Sequence, residues 1–248
     1  SNNRGQARFL RAYWFYHMPI SASSQTDTLN AHCKRLHIAA KEYRSDIDGL
    51  RAIAILAVIV FHAFPEILPG GFVGVDIFFV ISGYLISGHI FASLVQQGFS
   101  YPDFYSRRIK RIFPALIVVL LSCIIIGWVL LTPDEYKMLG SHIMGGTSFS
   151  ANFVLWKQAG YFDTAAETKP LLHLWSLAIE EQFYIVWPLV LQLLWRLPKA
   201  FILRSMFALS FISLLFSLWL VRFDTVADFY SPLSRFWELS IEIGRAHV

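Results

Sequence analysis

An all-α fold, a polytopic transmembrane helix bundle, is what this sequence predicts. Three observations carry the prediction. The 248 residues are 56% hydrophobic and only 15% charged, whereas soluble domains carry about 25% charged residues. The apolar residues gather in runs long enough to cross a bilayer as helices. The basic residues crowd into the short stretches between those runs, which is the pattern of membrane topology.

The elements follow in order along the chain. The stretch 1–46 is polar and irregular, and no secretory signal pattern appears in it, because no short apolar core follows a basic start. Five spans are expected at about 47–64, 73–95, 112–131, 174–195 and 201–221, with a sixth starting near Phe236 and cut off. Each is roughly 18–23 residues long, enough for a helix through a hydrocarbon core of about 30 Å. In lipid only helices or closed barrels satisfy the backbone, and runs this long are helices. The 22 Phe, 10 Tyr and 8 Trp suit this setting, and several Trp and Tyr fall near expected span ends.

One stretch, "SHIMGGTSFSANFVLW" (141–156), is ambiguous, being apolar but interrupted by Gly, Ser, Thr and Asn. Charge decides its assignment. Arg107, Arg108, Lys110 and Arg111 follow the second span, and Arg196, Lys199 and Arg204 separate the fourth from the fifth. The positive-inside rule places both groups in the cytoplasm, so an even number of crossings separates them. Residues 132–173 are therefore expected to be an extracytoplasmic loop holding an interfacial or re-entrant helix, and the N-terminus to be cytoplasmic.

Composition excludes several classes of function. A net charge of +4 is too small, and too confined to short loops, for nucleic-acid binding. Cys33 lies in the polar tail and Cys123 inside an apolar run, so neither a disulfide framework nor a zinc cluster is expected, and no metal is assigned.

The candidate functional residues are the ionisable ones within or beside the spans, where each is costly and so points to function. His62 lies near the outer end of the first span, and histidine titrates in the range that suits proton transfer. The plainer alternative is a hydrogen bond to a neighbouring helix. Asp76 begins the second span behind "PGGFVG", at similar depth, where a carboxylate orients and stabilises an imidazole or simply caps a helix. Gly70, Gly71 and Gly74 permit a tight re-entry and close helix approach. Ser82 and Gly83 read as a packing notch rather than a nucleophile. In "LLHLWSLAIEEQFYIVWP", His173, Ser176, Glu180 and Tyr184 share one helical face and Glu181 adjoins it. Two glutamates inside an apolar span must face the bundle interior or water, and one of them is a candidate partner for an arginine.

Arg107, Arg108 and Arg111 in "FYSRRIKRIFP" suit a phosphate-bearing donor such as coenzyme A, because the guanidinium fork matches phosphate oxygens. Basic anchoring alone is the plainer alternative. Arg51 and His62 are eleven residues apart, about three turns, so they share a face at roughly 16 Å separation. A basic mouth would then lead to a histidine near the other side. Snorkelling is the plainer alternative for Arg51.

Taken together, "YRSDIDGLRAIAILAVIVFHAF", "GGFVGVDIFFVISGYLIS", "FYSRRIKRIFPAL", "YFD" at 161–163, "LLHLWSLAIEEQFYIVWPL" and "SRFWEL" at 234–239 resemble, in order, the membrane-bound acyltransferase family three, which includes bacterial O-antigen and surface-polysaccharide O-acyltransferases. The resemblance implies transfer of an acyl group, usually acetyl, from an acyl-CoA donor to a hydroxyl of a cell-envelope glycan. It implies a multi-pass protein of the bacterial inner membrane with roughly ten spans, and in many members a periplasmic esterase-like domain. It matches His62 to the family's essential histidine and Arg107, Arg108 and Arg111 to its donor-associated arginine motif. It matches Glu180 and Glu181 to its acidic pair, and Asp48, Arg51 and Asp76 to further motif positions.

On this reading 1–42 is a polar tail foreign to the family pattern, and 43–242 is an incomplete transmembrane domain. The final "IGRAHV" at 243–248 can be written as the codons ATC GGA AGA GCA CAC GTC, which read as a common sequencing-adapter string, so it is expected to be translated adapter. The fragment alone is expected to be inactive. Two rivals remain. A proton-coupled transporter would also use intramembrane His, Asp and Glu, and a non-catalytic scaffold would be insensitive to loss of His62.

Overall fold

The computed structural model describes residues 44–95, 98–159 and 169–242. The polar tail, the "YFD" stretch and the terminal "IGRAHV" lie outside the described residues. Two compact units divide the chain, Ser1–Leu50 and Arg51–Val248, and every candidate site residue lies in the second.

Helix α1, Ser45–Ala63, covers the first expected span, but Asp46, Asp48 and Arg51 stand in its opening turns and it is not among the stretches that qualify as spans. Among the described residues four helical stretches are long and apolar enough to cross a membrane: Gly71–Val95, Tyr101–Leu130, Leu174–Leu194 and Phe201–Leu220. The first joins a 3₁₀ turn, Gly71–Val73, to helix α2, Gly74–Val95. The second is α3, Tyr101–Leu130, and the third is α6, Leu174–Leu194. The fourth lies in α7, Lys199–Leu220. The expected multi-pass helical architecture therefore stands.

The start of α3 differs from expectation by eleven residues. The sequence reading began this span at Ile112, with the arginines in a loop. Instead the side chain of Ser100 accepts a hydrogen bond from the Asp103 amide, Pro102 sits in the first turn, and the helix runs 30 residues. Serine and proline in these places are helix-starting signals that the apolar pattern hides. At about 1.5 Å per residue α3 is some 45 Å long, well beyond a hydrocarbon core. Its arginine-bearing turns can therefore stand outside the core while remaining helical.

Between α3 and α6 the expected single helix is a pair, α4 at Pro133–Thr147 and α5 at Ala151–Gln158. Thr132 and Glu135 cap α4 reciprocally, and the Thr132 backbone N–H holds the Glu135 carboxyl below its ordinary pKa. Neither helix approaches the ~20 residues a crossing requires. Phe149 makes the turn with φ of 51°, a left-handed conformation that costs a non-glycine residue energy. Gln182 of α6 offsets it by donating to the Phe149 carbonyl at 2.7 Å and to Asn152 at 2.9 Å.

The core gathers on α6, where Ile179, Phe183, Trp187 and Leu191 meet Phe79 and Ile90 of α2. Trp187 donates its indole N–H to Ser87 of α2 at 2.7 Å, so the tryptophan is buried without leaving a donor unpaired. Helix α8, Thr225–Tyr230, leads into α9, Pro232–Ser240, which packs on α7 and α2. Where a sixth span was expected to begin near Phe236, the described residues hold the nine-residue α9, which is not among the stretches long enough to cross a membrane. Outer faces of α3 and α7 leave Ile125, Val129 and Phe207 two-thirds or more exposed, as lipid-facing surfaces should.

Small residues set the closest approaches. A Cβ on Gly71 or Gly74 would strike the carbonyls of Ala57 or Ala54 in α1, which accounts for the glycines of "PGGFVG". A Cβ on Gly83 would strike the Leu239 carbonyl of α9, so the expected packing notch is present. Gly83→Ala is therefore expected to cost about 1–3 kcal/mol, read as a lowered Tm of the detergent-purified protein. Gly140→Ala, whose Cβ would meet open space within α4, is expected to be neutral or to stabilise by up to about 1 kcal/mol.

Candidate active site

Arg51 of α1, Ser82 of α2, the arginines of α3 and the acids of α6 line two adjoining clefts, whereas His62 and Asp76 line neither. The first encloses about 430 Å³ and is walled by Arg51, Ser82, His89, Arg107, Arg108, Arg111, Glu180, Glu181 and Tyr184, among others. The second encloses about 300 Å³ and is apolar, formed by Ile55, Val58, Ile59, Val75, Phe78 and Phe79 with Ser176, Leu177 and Glu180. Leu177 and Glu180 belong to both. The shared face of α6 therefore exists as the helical spacing requires, and it runs along both clefts.

In the basic cleft each acid of α6 has a polar partner. The Ser82 hydroxyl donates to Glu180 Oε1 at 2.8 Å. Arg108 donates from Nη2 to Glu181 Oε1 at 3.2 Å, and its guanidinium lies 3.4 Å from the Tyr184 ring centroid. The Arg108 and Glu181 side chains are only 21% and 8% exposed, so loss of either would strand the other's charge away from water. Arg108 Nε is buried and has no hydrogen-bond partner among the described residues. Arg107 Nη2 lies 3.1 Å from His89 Nε2, and since a guanidinium only donates, that nitrogen is the acceptor. His89 was not singled out from the sequence, where it sits in an apolar run with no periodic signal. Arg51 stands over the Phe78 ring at 6.0 Å.

His62 lies at the far end of the α1 face that begins with Arg51. Its Nδ1 is 2.8 Å from the Val58 carbonyl. A carbonyl only accepts, so Nδ1 carries the hydrogen and Nε2 of the neutral ring keeps its lone pair. Val58 itself lines the apolar cleft.

The expected orienting carboxylate is not where the sequence reading put it. Asp76 accepts from Arg235 Nη1 at 3.4 Å, and the same nitrogen donates to Glu238 at 2.7 Å. Glu180 and Glu181 are committed to Ser82 and Arg108. The ring against His62 is His173, with centroids 4.6 Å apart and planes at 87°. Partial burial, then the adjacent His62, hold the His173 imidazole below its ordinary pKa. Among the described residues no group of three or more His, Cys, Asp or Glu is placed to hold a metal ion.

Comparison with known proteins identifies the family. The family described as acyltransferase domain matches residues 44–238. This chain belongs to membrane acyltransferase family three. O-acetyltransferase OatA of Staphylococcus aureus is 38% identical over 186 residues, covering 73% of this chain and 30% of that protein. Peptidoglycan O-acetyltransferase OatA of Listeria monocytogenes is 36% identical over 184 residues, covering 73% and 29% respectively. The chain thus spans under a third of the length of these curated relatives. No solved structure matches.

The Arg108–Glu181 pair makes a stability prediction. Arg108→Ala strands a buried carboxylate and is expected to cost about 3–5 kcal/mol. Adding Glu181→Gln is expected to recover at least about 1 kcal/mol of that in a double-mutant cycle of denaturant unfolding in detergent.

Proposed function

We propose that the full-length protein transfers an acetyl group from acetyl-CoA to a hydroxyl of a cell-envelope glycan. The observation that carries this reading is the track formed by the two clefts, arginine-walled at one end and reaching Val58, beside His62, at the other. Arg107, Arg108, Arg111 and Arg51 bind the donor's phosphates. The pantetheine arm lies along the α6 face. Nε2 of His62 takes the proton of the acceptor hydroxyl, the oxygen attacks the thioester carbonyl, the C–S bond breaks, and the thiolate receives the proton. A positioned histidine base contributes roughly 10²–10⁴-fold. Because Asp76 sits with Arg235, its part in this scheme is to hold α9 against α2 rather than to touch His62.

In this proposal the membrane is the inner one, as the family resemblance implies, and the N-terminus is cytoplasmic by the positive-inside argument, so the donor arrives from inside and the acceptor from outside. A relative bearing the name peptidoglycan O-acetyltransferase makes peptidoglycan the first acceptor to test, ahead of O-antigen. Further spans and an outer esterase-like domain remain part of this proposal.

Membranes containing the full-length protein, given labelled acetyl-CoA and peptidoglycan, are expected to label the glycan. His62→Ala is expected to lower the rate at least ~100-fold, and Arg111→Ala to raise the KM for acetyl-CoA about tenfold. Unchanged labelling by a stably inserted His62→Ala protein would overturn the assignment of the base. Solute flux that ignores acetyl-CoA would favour a transporter instead.

A further inference from the structure

We propose that His173 is a positioning residue for His62, and that its perpendicular ring fixes the imidazole in the orientation that leaves Nε2 open to the acceptor. The inference rests on the reading of His62 as the base.

Three observations support it. First, the His62 ring has perpendicular neighbours. Phe61 stands at 5.2 Å and 84°, and His173 at 4.6 Å and 87°. Edge-to-face contacts of this kind are directional, so together they restrict rotation of the ring about its own bond. Second, the restricted ring makes a hydrogen bond through Nδ1 to Val58, which selects one tautomer. A ring free to flip would exchange Nδ1 for carbon and lose that selection. Third, both neighbours are anchored. Phe61 packs on Phe72, and Gly71 leaves no room between this part of α1 and the 3₁₀ turn. His173 is the N-cap of α6, followed by the buried Trp175, whose ring meets Phe79 and Phe229. No hydrogen bond joins the two imidazoles among the described residues, so the contact acts through the ring and not through a nitrogen.

A misplaced base forfeits the advantage of proximity, and small misorientations cost about 10²-fold. His173→Ala in the full-length protein is therefore expected to lower kcat for acetyl transfer roughly 100-fold, with the KM for acetyl-CoA within about twofold of wild type. His173→Phe restores a perpendicular ring and is expected to recover at least about tenfold of that loss. An undiminished kcat in His173→Ala overturns the proposal. So does a failure of His173→Phe to rescue, since a nitrogen would then be needed.

A second measurement does not depend on activity. In ¹⁵N-histidine-labelled protein in nanodiscs, the His62 signals, assigned by their loss in His62→Ala, are expected to show the single Nδ1–H neutral tautomer. In His173→Ala they are expected to split or broaden into both tautomers. Unchanged His62 signals overturn the proposal. If His62→Ala transfers acetyl normally, the assignment of the base falls, while the tautomer comparison still decides whether His173 positions the ring.

Discussion

Two adjacent carboxyl groups in the middle of an apolar helix constrain everything around them. Glu180 and Glu181 lie in α6, and lipid offers neither of them a partner. Successive helical residues project about 100° apart, so the pair cannot be served by one neighbour. Ser82 comes from α2 to Glu180, and Arg108 comes from α3 to Glu181. Gln182, next in line, turns to a third direction and secures the turn between α4 and α5. Three consecutive polar residues thus bind α6 to three different elements. Apolar packing alone would leave these helices free to slide, because lipid tails compete with leucine on equal terms.

The same constraint locates the chemistry. Satisfying Glu181 with Arg108 draws the basic opening of α3 inward, and the ring of Tyr184 holds the guanidinium from its flat side. One guanidinium edge is thereby spent on structure. Arg107 is likewise tied to His89. The arginine motif therefore divides its labour: part of it completes the bundle and part faces the cleft. A count of basic residues in the sequence does not separate these roles.

Much of this was legible in advance, for stated reasons. The spans follow from length and apolarity, and the shared faces of Arg51 with His62 and of Ser176 with Glu180 follow from helical spacing. The pairing of one glutamate with an arginine follows from the expense of leaving it bare. What escaped the sequence is long-range pairing. Asp76 and Arg235 are 159 residues apart, and nothing in the spacing of either announces the other. The run from Tyr101 to Arg111 was hidden because its helix signals are a serine cap and a proline, not a hydrophobic period. His173 was visible on its face, yet its contact with His62 depends on how α1 and α6 meet.

The cluster of Arg235, Asp76 and Glu238 has a structural logic, although the sequence offers Asp76 as a partner for His62 or a helix cap. One guanidinium serves two carboxylates, with the rings of Phe229 and Trp175 at 5.4 and 6.0 Å from it. Asp76 belongs to α2, whereas Arg235 and Glu238 belong to α9. Two turns deeper along α2, Gly83 lets the Leu239 backbone press close. Charge at one level and a missing side chain at the next therefore fix both the rotation and the depth of α9 on α2. Because α2 also presents Ser82 to Glu180 and Ser87 to Trp187, its setting decides whether the α6 acids are satisfied.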